Sequence, residues 1–314
     1  MTTPKQLAEY LERALSVAKE SGAIIRTAYM GRSHSIDYKE TNAADLVTKT
    51  DCAVEELCFK SLKAFYPDHV FIGEESTSTV TRCSFDNRPT WIIDPVDGTM
   101  NFCHGFPFTA ISIGLCINTL PVLGVIYNPI LDHLYYATSG TGSYLVSPST
   151  GILCPQRLPL SPSPVPSSLA TALIATEYGA SKDTDILHAK IRAIQRVITT
   201  PVAGRGIRSL GSAALSMCMV AEGGVDAYYE AGIHAWDICA GIVIVREAGG
   251  VAINLGKDPK CHDSVLNEDV DVMARSILCV RGIQGNNENQ VAESQMALIA
   301  QMRSLIEPIP YPLD

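Results

Sequence analysis

Apolar residues recur at helical spacing from the start of the chain. Thr3-Pro4 is a helix start, and Leu7, Leu11, Ala14, Leu15, Ala18 and Ile25 then follow on one face. A second helix is predicted from Asp51 to Phe65, burying Val54, Leu57, Cys58, Leu62 and Phe65. The pattern then changes to short apolar runs separated by Gly, Asn and Pro. Strands are predicted at 70-VFIG-73, 90-TWIID-94, 109-TAISIGLCIN-118, 122-VLGVIYN-128, 133-HLYYAT-138 and 143-SYLV-146. Five prolines between 155 and 166 exclude helix and central strand, so 155-PQRLPLSPSPVPSSL-169 is expected to connect two halves.

Beyond it strands and helices alternate. Strands are expected at 170–176, 206–210, 225–230, 251–254 and 276–280, and helices at 185–197, 212–222, 236–249 and 289–306. The polar segments 258–271 and 282–289 are expected to be exposed loops. Both halves mix strands with helices, which favours sheets layered with helices over a bundle or a sandwich of sheets alone. An N-terminal half, 1–150, and a C-terminal half, 151–314, are expected to share one active site.

At 314 residues and 46% hydrophobic content the chain can bury a large core. A net charge of −9 and a pI near 5.3 argue against nucleic acid as a partner, because that binding needs a basic surface. A phosphorylated ligand would also be repelled unless bound cations reversed the local field. The ten cysteines form no C-x-x-C pair, and several sit in apolar runs, as expected of reduced core thiols in a cytoplasmic protein. No stretch approaches the ~18 consecutive apolar residues that span a bilayer, so no membrane partner is expected.

Four carboxylates stand where apolar elements end or begin. Glu74 follows VFIG, Asp94 and Asp97 follow WII in 91-WIIDPVDGTMNF-102, and Asp237 opens WDICAGIVIV. Each has an ordinary structural reading: Asp237 as a helix N-terminal acid, Asp97-Gly98 as a turn, Glu74 as a solvated loop charge. Together they suit a hard cation, which takes several oxygen ligands drawn from distant segments. Four converging carboxylates would repel one another strongly without one. A buried strand that ends in charge is then explained by divalent metal.

These residues carry a resemblance. 72-IGEES-76, 91-WIIDPVDGTMNF-102 and 234-HAWDICAGIVIVREAGG-250, supported by 45-DLVTKTD-51, 206-GIRSLGSAA-214 and 224-GVDAYYEAGIH-234, resemble the inositol monophosphatase family. This family lies within the Mg²⁺-dependent, lithium-sensitive sugar phosphatases. The resemblance implies a layered αβαβα sandwich of the fructose-1,6-bisphosphatase/inositol monophosphatase-like fold, in the α+β class. It implies a homodimeric phosphoric monoester hydrolase of inositol metabolism and phosphatidylinositol signalling. Such an enzyme hydrolyses myo-inositol monophosphates by direct attack of a metal-activated water, with two to three Mg²⁺ ions per site.

Carried over by position, the metal ligands are Glu74, Asp94, the Val96 carbonyl, Asp97 and Asp237. Thr99, paired with Asp51, and Glu74 are the catalytic positions. Asp97, Gly98, Thr99, Gly211, Ser212, Ala213, Glu230 and Asp237 are the substrate contacts. Ser212 stands where the family usually has threonine, keeping the hydroxyl. The segments 155–169, 257–271 and 282–289 have no clear family counterpart. His104, His234, Trp91 and Trp236 are assigned to packing or support, and Arg208 to structural or subunit contacts. Two other readings compete: the same chemistry on another sugar, sugar-alcohol or histidinol phosphate, and a non-catalytic metal- or phosphate-binding regulator.

Overall fold

A computed structural model of the chain describes residues 3–31, 36–38, 46–77, 85–199, 201, 203–255, 270–284, 288–307, 309 and 311. Residues 258–269 of the first segment expected to be an exposed loop and 285–287 of the second lie outside these residues, as do Asp45 and Cys83; of the remainder, Val270 and Gly282 are buried and not exposed.

Eight helices are described: α1 (Pro4–Gly31), α2 (Lys49–Lys63), the single turn α3 (Glu74–Thr77), α4 (Thr99–His104), α5 (Thr184–Thr199), α6 (Ala213–Glu222), α7 (Ala235–Glu247) and α8 (Glu288–Leu305). The first two strands, β1 (Ile36–Tyr38) and β2 (Leu46–Thr48), pair antiparallel on their own. A seven-stranded sheet runs in sequence order through β3 (Val70–Gly73), β4 (Thr90–Asp97), β5 (Ala110–Ile117), β6 (Leu120–Asn128), β7 (His133–Thr138), β8 (Gly142–Ser147) and β9 (Ile152–Arg157). Only its β3/β4 pair is parallel.

A five-stranded sheet is built from β10 (Leu173–Thr176), β11 (Gly206–Arg208), β12 (Ala227–Ala231), β13 (Val251–Ile253) and β14 (Ser276–Val280). Its order is β11-β10-β12-β14-β13, with β10 parallel to both of its neighbours.

The period-two alternation of each strand assigns its residues to layers. Trp91 and Ile93 of β4 pack with α1 and α2 through Ala14, Ala18, Val54 and Leu62, while Ile92 between them joins the core around α6 and α7. In the smaller sheet, Tyr228, Ile277 and Cys279 face α6 and α7, and Ala227, Tyr229, Leu278 and Val280 face the core with α5 and α8. The stack is therefore α1/α2, large sheet, α6/α7, small sheet, α5/α8. This is the layered αβαβα architecture expected.

Because α7 lies between two sheets, it is apolar around its circumference, with Ile238 through Val245 all buried. Its close seat requires glycine beneath it. A Cβ on Gly124 would come within 2.2 Å of the Ala240 carbonyl oxygen, and one on Gly114 within 2.4 Å of Cys239 Sγ.

Several local findings depart from the sequence expectations: α2 ends at Lys63, so Phe65, expected on its buried face, is exposed. Strand β9 was not anticipated, and its Pro155 is tolerated because β9 is the outer strand of its sheet. Strand β4 continues past Asp94 to Asp97, all eight residues being buried. The eight described cysteines are free thiols; Cys52 and Cys154 are exposed instead of lying in the core. Among the described residues no helix is long and apolar enough to cross a membrane.

Candidate active site

In a regular strand, residues three apart point to opposite faces, so Asp94 and Asp97 should diverge. They do not. The β4/β5 register is irregular between Asp94 and Asp97, where Pro95 sits. This bulge re-aims one carboxylate so that both serve the same point. The parallel β3/β4 pairing sets Gly73 opposite Ile93, which brings Glu74, the next residue of β3's chain, out beside Asp94. Asp237 arrives from the other side, in the first turn of α7, where its Oδ2 accepts a 2.6 Å bond from the His234 N–H. One ligand oxygen from each of Asp94, Asp97 and Asp237 lies within 4.8 Å of the others.

Burial and mutual repulsion dominate the electrostatics. Asp94 is raised well above the usual carboxylate range, first by loss of solvent and then by the charges of Glu74, Asp97 and Asp237. Burial, with Asp237 adding to it, pushes Asp97 up to about 7, although Ser212 and Ala214 pull it back. Asp237 is raised too, chiefly by burial. The donor set is hard oxygen, concentrated and costly to ionise, which is the chemistry a divalent cation such as Mg²⁺ or Ca²⁺ matches. Of the sequence-derived ligand set, Asp94, Asp97 and Asp237 are brought together in a group that could hold such an ion, and Glu74 adds its charge beside Asp94.

Beside the carboxylates, Gly98 takes φ 84° and starts α4. The Thr99 Oγ1 lies 3.0 Å from the Val96 carbonyl oxygen and 3.3 Å from Asp51 Oδ1. Asp51 itself is fully buried in the first turn of α2, where it also accepts from the Thr48 backbone N–H at 3.2 Å and from the Thr48 hydroxyl. Burial pushes Asp51 up to about 6.

A cavity of about 470 Å³ opens over these groups, lined from the large-sheet half by Glu74, Asp97, Gly98 and Thr99 and from the other half by Gly211, Ser212, Ala213, Glu230 and Asp237. Every position expected to touch substrate is on its wall. Asp97 Oδ2 accepts from the Ser212 hydroxyl and, at 3.0 Å, from the Ala214 N–H, tying the metal-binding strand to the start of α6. Glu230 stands on β12 with its Oε2 accepting from the Tyr228 hydroxyl at 2.5 Å. Burial pushes it up to about 8, with Lys190 opposing.

The groups assigned to support also have places. His234 stacks on Trp236 with ring centres 4.5 Å apart, Trp91 Nε1 donates to His69 Nδ1 at 3.1 Å, and His104 Nδ1 lies 2.9 Å from the Met100 carbonyl. Arg208 is exposed and bonds only to the adjacent Ile207 carbonyl among described contacts.

Sequence reasoning missed two carboxylates. Glu55 is buried and accepts from the backbone N–H groups of Glu75 and Ser76, both at 2.9 Å, holding the turn that carries Glu74. Its position four residues after Asp51, on the same helix face, was the available signal. Glu177 follows β10 as Glu74 follows β3, so the rule that singled out strand-end carboxylates also applied to it.

The profile described as "Inositol monophosphatase family" matches residues 6–300. Inositol monophosphatase 1 of Rattus norvegicus is 36% identical over 306 residues, covering 98% of this chain and 97% of that protein. Inositol monophosphatase 2 of Solanum lycopersicum is 42% identical over 248 residues, covering 78% of this chain and 87% of that protein. The crystal structure of inositol monophosphate-bound SaIMPase-II superposes with a TM-score of 0.66 at 26% identity, covering 95% of this chain and 93% of that one.

Proposed function

The chain belongs to the inositol monophosphatase family, whose members are phosphoric monoester hydrolases, and on that premise we propose that it hydrolyses myo-inositol monophosphates to myo-inositol and phosphate with Mg²⁺. The observation that carries the reading is the convergence of Asp94, Asp97 and Asp237 within 4.8 Å beneath a cavity lined by small and hydroxyl-accepting residues. Glu74, Asp94, the Val96 carbonyl, Asp97 and Asp237 would hold two to three Mg²⁺ ions. When bound, such ions supply Lewis acidity, making water acidic enough to attack and neutralising charge on the ester oxygens.

The chain's own groups do the positioning. The Thr99 hydroxyl, held between the Val96 carbonyl and Asp51, orients the attacking water directly at phosphorus. Asp51, pushed up to about 6, is matched to receiving the proton that this water sheds. Glu74 contributes to the same corner of the cavity. The Gly98 and Thr99 backbone amides meet the phosphate, and no covalent phosphoenzyme is needed. For the ring, Gly211 and Ala213 allow the backbone to approach, Ser212 presents the other face of its contact with Asp97, and Glu230 and Asp237 accept hydroxyl protons.

The inositol monophosphate bound to SaIMPase-II supports this substrate class. Inhibition by lithium, a homodimeric state, cytoplasmic residence and a role in inositol metabolism and phosphatidylinositol signalling belong to the same proposal. The test is phosphate release from inositol 1-phosphate, other sugar and sugar-alcohol phosphates and histidinol phosphate, with Mg²⁺ titrated in and then chelated. Inositol 1-phosphate is expected to have the highest kcat/KM. Metal-independent release, or a clear preference for histidinol phosphate, would refute the proposal.

A further inference from the structure

The stretch Ser209–Ser212 between β11 and α6 has no regular secondary structure, yet it must present Gly211, Ser212 and Ala213 to the cavity with fixed geometry. Irregular backbone of this kind is held by side chains or not at all. Strand β10 pairs parallel with β11, Ala175 opposite Arg208, so the residues following both strands emerge side by side. Continuing that register sets Thr176 level with Ser209 and Glu177 level with Leu210. Glu177 Oε1 accepts from the N–H groups of Leu210 at 2.6 Å and Gly211 at 2.8 Å, and its Oε2 accepts from the Ser209 hydroxyl at 2.5 Å.

The opposite polarity of the same loop is met from the other half of the molecule. Asn101 Nδ2, on α4, donates to the Leu210 carbonyl at 2.7 Å and lies 3.3 Å from the Gly211 carbonyl. One side chain thus takes the loop's amides and the other its carbonyls. Gly211 sits at φ +74°, and a Cβ there would come within 3.0 Å of Asn101, so the loop is held in a conformation only glycine adopts without strain.

We propose that Glu177 is a positioning residue that fixes the Ser209–Gly211 backbone and so sets recognition of the polyol ring, without taking part in the chemistry at phosphorus. This rests on the ring contacts proposed for Gly211, Ser212 and Ala213. Glu177 lines the cavity, and both of its oxygens accept from the loop, which ties the loop backbone to its side chain. Replacing Glu177 by alanine removes the acceptor of all three bonds, whereas glutamine keeps the grip by turning its oxygen to the Leu210 and Gly211 N–H groups and its NH2 to the Ser209 hydroxyl.

The experiment compares kcat and KM of wild type, Glu177→Ala, Glu177→Gln and Ser209→Ala on inositol 1-phosphate and on 4-nitrophenyl phosphate, which has no ring hydroxyls. Glu177→Ala is expected to lower kcat/KM on the inositol ester by about tenfold more than on the nitrophenyl ester, mainly through KM, and Glu177→Gln to recover most of that loss. Ser209→Ala, which removes one of the three bonds and leaves no buried donor, should shift the same ratio by about two- to threefold. Equal losses on both esters, or no loss on either, would overturn the assignment. If Glu177→Ala does not fold, the Ser209→Ala ratio decides alone. Wild-type data separate this from the substrate proposal: if inositol 1-phosphate is not turned over, that proposal fails, and the ratio is measured on the best polyol ester instead.

Discussion

Replacing Asp97 by Asn is expected to stabilise the metal-free protein at pH 8 while removing its response to Mg²⁺. Asp97 is 6% exposed and its pKa is raised from 3.8 to about 7. Ionising such a group in the folded state costs roughly 4 kcal/mol relative to the unfolded chain. The sign follows from proton counts. Between about pH 4 and pH 7 the folded state keeps a proton that the unfolded state has released, so stability falls as pH rises through this window and the loss is complete above it. Asparagine has no proton to lose and is flat across the same range.

Its remaining oxygen can still accept from Ser212 and Ala214, so the net gain at pH 8 should be about 2–4 kcal/mol, or roughly 3–6 °C in Tm for a chain of this length. The assay is thermal unfolding of both proteins in chelator from pH 5 to 8.5, then with Mg²⁺. At pH 5 the two should coincide within about 1–2 °C, since Asp97 is protonated. Mg²⁺ should raise the wild-type Tm at pH 8 and move the variant far less. A variant less stable than wild type at pH 8 in chelator, or a difference between the two that does not change with pH, would refute the reasoning.

Asp94→Asn removes a carboxylate held well above its usual range by burial and by Glu74, Asp97 and Asp237, and should reduce Mg²⁺-dependent phosphate release by about a thousandfold while leaving the circular dichroism spectrum intact; undiminished release would contradict the ligand assignment. Thr99→Ala is expected to lower kcat by about a hundredfold or more with KM little changed, because the hydroxyl acts on the water and not on the ring; single-substrate kinetics check it. Gly124→Ala should destabilise by about 1–3 kcal/mol in urea, since its Cβ meets the Ala240 carbonyl at 2.2 Å and a backbone atom cannot step aside. An unchanged urea midpoint there would show that α7 can shift away from the sheet.

Asp94 and Asp237 lie 143 positions apart in the numbering, yet both were legible as candidates, because each interrupts an apolar run where a bland residue would serve the fold better. The existence of the long elements was also legible, but not their ends: α2, expected over 51–65, spans Lys49–Lys63, and β12, expected over 225–230, spans Ala227–Ala231. Two kinds of feature escaped. The bulge that turns Asp94 and Asp97 to one side depends on pairing with β5, and pairing partners are not a property of a local window. The grip of Glu177 on Ser209–Gly211 depends on β10 and β11 being parallel neighbours, although the two segments are more than 30 residues apart.

Local composition indicated the types of most of the longer elements and singled out Asp94, Asp97 and Asp237 as candidates for a cation site. Those follow from periodicity and from the cost of charge next to apolar runs. Tertiary structure alone decided which carboxylates meet, how far burial raises them, and which side chains brace the loop at the ring end of the cavity. Each of these is set by distances between segments that only the stacked sheets bring together, and Coulomb and hydrogen-bond energies depend on those distances and not on position along the chain.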